Sequence, residues 1–426
     1  MRVFLSAGEP SGDHHAAALV RSLVARRPDV ECVGLGGPCM AAAGCRLVAD
    51  LTELAVMWFA RVILNIHRFV DLARRAERSF LDDRPDVCVL VDFPGFHWWL
   101  AWRAKRHGIP VVFYCPPQIW AWASWRIGKM RRLVDHVLSA LPFEHEWFLE
   151  RGVKSTLVGH PFFDELAVDR PDAVSPEETP LVLLLPGSRG QEIAANLQTI
   201  LRAAALVAAR VRPVRFVVAT LHDKHARRVQ DVILRSGSLT SGLDLGVESG
   251  RARILMRRAS CAIAVSGSVS LELLASRVPT VIVYRIGGLA HVVQSWFRRA
   301  RFITLVNLLD CRDPIGRTWP SWRPPERVGP ADSDAVYPEY LTVHDPAEQV
   351  AGHVVDWLSH PEKRAAVVDR LEAIARRVAT GGSADRAADA VLEIAASRHE
   401  DAARGLPVER ATAGENGGCR VRPRAA

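Results

Sequence analysis

The sequence predicts an α/β protein built on two parallel sheets, and three observations carry that reading. Short β-branched runs alternate with helical patterns from the first residue, the signature of βαβ units. The pattern restarts after a polar, Pro-rich stretch at residues 169–180, which reads as a linker. The chain of 426 residues, 49% apolar and 24% charged, suits roughly two to three globular units. In the first half, strands are expected at 3–6, 31–35, 87–92, 111–115, 136–139 and 155–158. In the second half they are expected at 181–185, 215–219, 261–265 and 280–284, with helices at about 192–210, 268–276 and 347–357. Residues 312–336 hold five prolines and little apolar periodicity, so they read as a long surface excursion. The Gly-, Arg- and Ala-rich text after Ser397 reads as a disordered tail.

Composition narrows the class. Basic residues number 55 and acidic ones 47, a net charge of +8, which draws the chain toward an anionic partner without choosing between nucleic acid, phosphorylated small molecules and an acidic membrane. The best candidate for a spanning helix, residues 87–102, is interrupted by Asp92, Pro94 and His97. Met1 to Leu5 run directly into polar residues, so no secretory segment is read and a cytoplasmic location is expected. The eight cysteines form no CxxC pair and no zinc-like spacing, which points to reduced core thiols rather than a structural metal.

Four strand-to-helix turns can carry chemistry. Ser6-Ala7-Gly8-Glu9-Pro10-Ser11-Gly12-Asp13 follows the first strand and either brings backbone N–H groups to a ligand or is a tight turn capped by Ser11 or Asp13. It is neither a Walker A loop nor a GxGxxG fingerprint. Asp92 ends an apolar strand at Asp92-Phe93-Pro94-Gly95-Phe96, where burial can raise its pKa and suit it to general-base work; a plain helix cap is the alternative. In Leu185-Pro186-Gly187-Ser188-Arg189-Gly190, Gly187 permits close backbone approach and Arg189 offers a planar fork for phosphate oxygens, unless the loop is merely solvated. In Ser266-Gly267-Ser268-Val269-Ser270-Leu271-Glu272, the Glu272 carboxylate can accept from two sugar hydroxyls, or serve as a first-turn acid.

Aromatic residues are unevenly placed. Seven of the 12 tryptophans fall between Trp98 and Trp147, a density more typical of core or interface than of ligand stacking. Two apolar helical stripes carry basic flanks: Trp58, Phe59, Val62, Ile63, Ile66, Phe69 and Val70 near Arg61 and Arg68, and Leu289, Val292, Val293, Trp296, Phe297 and Ala300 near Arg298, Arg299 and Arg301. Each is either a buried face or a surface for docking on an anionic membrane. His160, in Gly159-His160-Pro161, and His14 and His15 are open between ligand contact and structure.

Taken together, the ordered motifs resemble the lipid-A-disaccharide synthase family. The resembling segments are 6–13, 34–45, 51–57, 92–96, 116–122 (Pro-Pro-Gln-Ile-Trp-Ala-Trp), 141–144 (Leu-Pro-Phe-Glu), 159–161, 184–193, 266–272, 283–285 and 306–309, with a weaker match from 337–341 to about 395. The resemblance implies a GT-B fold: an α/β protein with two facing Rossmann-like domains and an interdomain cleft. Residues 1–168 would form the acceptor and membrane-side domain, joined by a returning C-terminal helix at about 383–398. Residues 169–382 would bind the UDP-sugar and carry the 312–336 insertion, and 399–426 would be a disordered tail.

The activity implied is inverting transfer of 2,3-diacylglucosamine from UDP-2,3-diacylglucosamine to the 6-hydroxyl of 2,3-diacylglucosamine 1-phosphate, giving a β-1,6 disaccharide 1-phosphate and UDP. The protein would work peripherally on the anionic inner membrane surface, without metal, cofactor or nucleic acid. Asp92 matches the family's essential aspartate, Arg189 its conserved arginine, and Asn307 a further functional asparagine. Donor contacts are expected from Gly187, Ser188, Arg189, Ser266, Gly267, Ser268 and Glu272. Acceptor or cleft contacts are expected from Gly8, Glu9, Ser11, Gly12, Asp13, His160 and Asn307. Membrane docking is expected from Trp58, Phe59, Trp296, Phe297, Arg298, Arg299 and Arg301.

The chain departs from the family pattern at Gly95 and His97, where Asp and Asn are usual, at Trp58, at Val306 and in the 312–336 excursion. A UDP-N-acetylglucosamine-type enzyme such as a 2-epimerase is the alternative on the same fold. A basic, aromatic-rich RNA- or membrane-binding module would leave the paired turns without a purpose.

Overall fold

A computed structural model describes residues 1–52, 66–164, 179–315 and 335–403, except the side chains of residues 295 and 398–403. Residues 2–157 supply one parallel sheet: β1 (Arg2–Ala7), β2 (Glu31–Gly36), β3 (Arg46–Asp50), β4 (Val87–Val91), β5 (Val111–Tyr114), β6 (His136–Ser139) and β7 (Ser155–Leu157), in the order β3-β2-β1-β4-β5-β6-β7. Residues 181–342 supply the second: β8 (Leu181–Leu185), β9 (Arg215–Thr220), β10 (Asp244–Ser249), β11 (Cys261–Ala264), β12 (Thr280–Arg285) and β13 (Glu339–Thr342), in the order β10-β9-β8-β11-β12-β13. The central strands β1, β4 and β8 are buried along their whole length, as expected where helices cover both faces of a parallel sheet.

Three strands went unread in the sequence: β3, β10 and β13. All three are sheet edges. An edge strand meets a neighbour on one side only and carries polar text, such as the Asp-Leu-Gly-Val-Glu-Ser of β10, so the apolar run that betrays a central strand is missing. Four expected strands also end one residue early, at Val91, Tyr114, Leu157 and Ala264. At the first two, the next residue turns left-handed: Asp92 has φ 54° and Cys115 φ 50°.

Each sheet reverses its order once. In the first, β1 lies between β2 and β4, with Ala7 beside Val91; in the second, β8 lies between β9 and β11, with Leu185 beside Ala264. At such a switch point the turns leaving the two central strands diverge and open a crevice at the strands' carboxyl ends. The four turns singled out above are the four that border these two crevices.

Two segments tie the halves together. The last helix, Ser383–Ala403, packs on the helix Pro10–Arg26, burying Ala387, Ala388, Val391 and Ala395 with Leu19, Val20 and Leu23. Asp164 caps its start, accepting from the N–H groups of Ser383 (2.9 Å) and Ala384 (2.8 Å). The helix runs to Ala403, past the expected end near 398; residues 404–426 lie outside the described residues. The second tie is the stretch after residue 298. Ala300, Phe302 and Leu308 enter the core of the first half, and Val306 enters that of the second. Most of the expected excursion, 316–334, lies outside the described residues, as do Trp58, Phe59, Val62 and Ile63 of the first apolar stripe; of its remaining residues Phe69 is buried and Ile66 exposed.

Candidate active site

Asp92 and Phe93 both occupy the left-handed region, φ 54° and 48°. That conformation costs roughly 1–2 kcal/mol for a residue as bulky as phenylalanine and persists only where the surroundings enforce it. His97 supplies one restraint. It is fully buried, its Nδ1 lies 2.6 Å from the Asp92 carbonyl, and its Nε2 lies 2.9 Å from Ser6 Oγ. A carbonyl can only accept, so Nδ1 carries the proton. Burial pushes the ring down to about 4, so the imidazole is neutral and Nε2 accepts from the Ser6 hydroxyl. The second restraint is steric: Phe93 lies so close over Gly8 that a Cβ there would fall 2.3 Å from its ring. Gly8 thus has a packing reason in addition to its place in the turn.

His97 is therefore a positioning residue at the position where the sequence departs from the family's Asn. His97→Ala strands the Asp92 carbonyl and is expected to lower kcat about ten- to a hundred-fold with little change in donor KM. His97→Asn keeps a donor and is expected to recover most of the loss. Steady-state kinetics of both variants check this; equal losses in the two would deny the restraint.

The Asp92 carboxyl is held above the usual carboxylate range, chiefly by burial; the Phe93 N–H and the nearby His15 pull it back down. It lines a cavity of about 920 Å³ whose other walls include Ser11, His15 and His160, the tryptophans Trp120, Trp122 and Trp125, and, from the second half, Ser266, Gly267, Ser268 and Phe297. Trp120 is fixed by its indole N–H donating to Glu144 Oε1 (2.9 Å), while Ala140 N–H donates to Oε2 (3.2 Å). That pairing joins the 116–122 and 141–144 motifs; burial pushes Glu144 up to about 7, against the pull of the Trp120 bond.

The facing turns of the second half line a cavity of about 540 Å³ that includes Gly187, Ser188, Arg189, Arg253, Ser266, Gly267, Ser268, Glu272 and Tyr284. It shares Ser266, Gly267 and Ser268 with the Asp92 cavity. Ser266 Oγ is committed to the Ile303 carbonyl (2.9 Å), which leaves that turn's backbone and Ser268 facing the cavity. The Arg189 side chain is 80% exposed, and among the described residues its ion-pair partner is Glu192, at 3.4 Å. Glu9 connects the two halves of the site: burial raises its pKa, Asp92 raises it further, and Arg189 lowers it.

Several expectations change. The N–H groups of Ser188 and Arg189 do not stand open for a diphosphate, because Glu192 Oε2 accepts from both (3.0 and 3.2 Å). Glu192 was missed in the sequence; a capping-box acid at the third helical position was the available signal. Asp13 does not face the cleft. Its buried carboxylate accepts from the N–H groups of Gly37 (2.8 Å), Cys39 (2.9 Å) and Met40 (3.1 Å), capping the short helix Pro38–Ala42. Asn307 is also turned inward: its Nδ2 donates to the Tyr337 carbonyl (2.8 Å) and Glu339 Oε2 (3.0 Å), and its Oδ1 accepts from Tyr337 N–H (2.9 Å). With Glu339, which also accepts from Ile303 N–H (2.8 Å), it anchors the bridging stretch. Gly12 packs beside the Val91 carbonyl and Asp92.

The second apolar stripe is an exposed one. On the helix Gly288–Phe297, Leu289, Val292, Val293, Trp296 (64% exposed) and Phe297 face out, beside the exposed Trp122 and Trp125 of the first half. Trp125 and Phe297 rings meet edge-on at 5.8 Å. Arg299 is exposed there. Arg298 lines the Asp92 cavity together with Trp122, Trp125 and Phe297, whereas Arg301 lies over the Phe302 ring with its Nη1 3.2 Å from Cys311 Sγ. Among the described residues no helix is long and apolar enough to cross a membrane, and no group of three or more His, Cys, Asp or Glu is placed to hold a metal ion.

A profile of the family described as lipid-A-disaccharide synthetase matches residues 3–315. Proteins named lipid-A-disaccharide synthase from Trichlorobacter lovleyi and Myxococcus xanthus are 32% and 33% identical to this chain, each over 92% of it and 97% of the relative. Among solved structures, the chain resembles a UDP-GlcNAc 2-epimerase from Neisseria meningitidis bound to UDP-GlcNAc (TM-score 0.58, 11% identity, 93% and 100% of the two chains). It also resembles MurG from Acinetobacter baumannii (TM-score 0.53, 11% identity, 92% and 99%). At those identities the likeness speaks for the two-domain GT-B fold alone.

Proposed function

The chain belongs to the lipid-A-disaccharide synthase family and is a GT-B glycosyltransferase of lipid A biosynthesis; from that premise we propose how its own residues divide the reaction. The first half takes the acceptor, 2,3-diacylglucosamine 1-phosphate, and the second takes the donor, UDP-2,3-diacylglucosamine. Arg189 and the Ser266–Ser268 turn hold the diphosphate, and Glu272 accepts from the ribose hydroxyls. Asp92 takes the proton from the acceptor 6-hydroxyl as its oxygen bonds to the sugar's anomeric carbon. The bond from that carbon to the diphosphate breaks on the far side, UDP leaves with the electron pair, and configuration inverts.

The observation that carries this reading is that both sheets' switch-point turns border cavities sharing Ser266, Gly267 and Ser268, with Asp92 on one side and Arg189 on the other. The test is incubation of the purified protein with both acylated substrates, with detection of the disaccharide 1-phosphate and UDP. Conversion of soluble UDP-N-acetylglucosamine to its 2-epimer, with no disaccharide formed, would favour the epimerase reading instead.

The acylated substrates reside in a membrane, and the exposed Trp122, Trp125, Trp296 and Phe297 patch opens directly onto the Asp92 cavity. The protein is expected to dock there on an anionic bilayer, its aromatic tips in the headgroup region and Arg299 beside acidic lipid. Trp296→Ser with Phe297→Ser is expected to cut binding to phosphatidylglycerol-containing vesicles at least tenfold, and binding of the unaltered protein should weaken with salt. Unchanged vesicle binding in the double variant would remove this surface from the account.

A further inference from the structure

A third cavity, about 800 Å³, lies between the halves and shares Arg189 with the nucleotide cavity. Glu9 and Pro10 contribute from the first half, while Ser188, Arg189, Glu192 and Tyr284 are walls it shares with the nucleotide cavity. Its remaining lining is strongly basic. His222, Lys224, His225 and Arg228 come from the start of the helix Asp223–Arg235, and Arg285 comes from the end of β12.

Part of this charge has no acidic partner among the described residues. Neither Lys224 nor Arg228 has an ion-pair partner among the described residues. They stand four residues apart on one helix face, where like charges repel and cost an isolated helix a few tenths of a kcal/mol. His225 senses the crowding: burial lowers its pKa, and Lys224, His222 and Arg228 lower it further. Arg228 lies over Gly190, its Nη1 2.9 Å from where a Cβ on that glycine would stand, so a side chain there would crowd it. The two acids in the cavity wall are Glu9, whose pKa burial raises, and Glu192, which is engaged with Arg189; the converging cations outnumber them and attract an anion with several oxygens.

The nucleotide's own diphosphate does not need this space. In the reading above the nucleotide occupies the cavity lined by Glu272 and Arg253, and its diphosphate meets Arg189 there. Given the substrates proposed above, one anionic group is unassigned. We infer that the cavity lined by His222, Lys224, Arg228 and Arg285 receives the phosphomonoester of the acceptor, so that the second half, which grips the donor, also reads the acceptor's 1-phosphate. Arg189 then stands between two anions and ties the placement of one substrate to the presence of the other. This inference rests on the functional reading above and goes beyond it.

The test compares 2,3-diacylglucosamine 1-phosphate with the same sugar lacking phosphate, as acceptors for the unaltered protein and for the Lys224→Ala, Arg228→Ala double variant. The unaltered protein is expected to prefer the phosphorylated acceptor at least tenfold in kcat/KM. The double variant should lose most of that preference while its affinity for UDP stays within about twofold, which also shows that it is folded. Lys224→Glu alone should lower the preference further than Lys224→Ala. An unchanged preference in the double variant, or a loss carried by UDP affinity with the preference intact, overturns the inference. If the unaltered protein makes disaccharide from neither acceptor, the functional reading fails first and this assignment falls with it.

Discussion

Asp92→Asn is expected to lower kcat by roughly 10²–10⁴-fold, the range general-base catalysis supplies, with UDP affinity unchanged. Asparagine keeps the shape and, like aspartate, tolerates the left-handed backbone that Asp92 adopts, so the loss isolates the charge from the fold. The pH dependence has a definite sign. Burial raises the Asp92 pKa, so in the unaltered protein kcat/KM should fall as pH drops, with an inflection above the usual carboxylate value of about 4. Below that inflection the group is protonated and cannot take the hydroxyl's proton. The limb should vanish in Asp92→Asn. A steady-state pH profile of both proteins checks it, and an active Asp92→Asn enzyme would remove the base assignment.

Arg189→Ala produces the second large effect, on the other substrate. Its guanidinium is the exposed cation shared by the nucleotide cavity and the basic cavity, and among the described residues its ion pair is a long one, to Glu192. A hydrogen bond to a charged group is worth about 1.5–3 kcal/mol, so losing the fork should weaken UDP binding roughly ten- to a hundred-fold. The Glu192 carboxylate saturates the N–H groups of Ser188 and Arg189, so backbone cannot take over. Arg189→Lys should recover only part of the affinity, since an ammonium lacks the planar fork. Calorimetric titration with UDP measures this; an affinity equal to that of the unaltered protein would place the diphosphate elsewhere.

The fold was legible where strands are buried on both faces. Val87–Val91 and Leu181–Leu185 announce themselves as apolar runs, and the turns that follow them are the ones that border the cavities. What pattern alone does not reveal is where a polar side chain turns after a tight backbone. Asp13 and Asn307 sit in motifs that point to a site, yet each is spent on backbone partners far away in sequence: Asp13 on Gly37, Cys39 and Met40, Asn307 on Tyr337. His97 shows the converse. In the sequence it is only a departure inside an apolar helix; in the fold it restrains the Asp92 turn through Ser6, ninety-one residues earlier. The basic cavity was invisible for the same reason, since Arg189, Arg228 and Arg285 converge only once the β8, β9 and β12 turns share one edge.

The most direct measurement is a crystal structure with UDP bound. The account predicts the diphosphate between Arg189 and the Ser266–Ser268 turn, the ribose at Glu272, and the Asp92 carboxylate facing the terminal phosphate across the cleft. UDP seated instead on the Gly8–Gly12 turn of the first half, with Arg189 and Glu272 untouched, would contradict it.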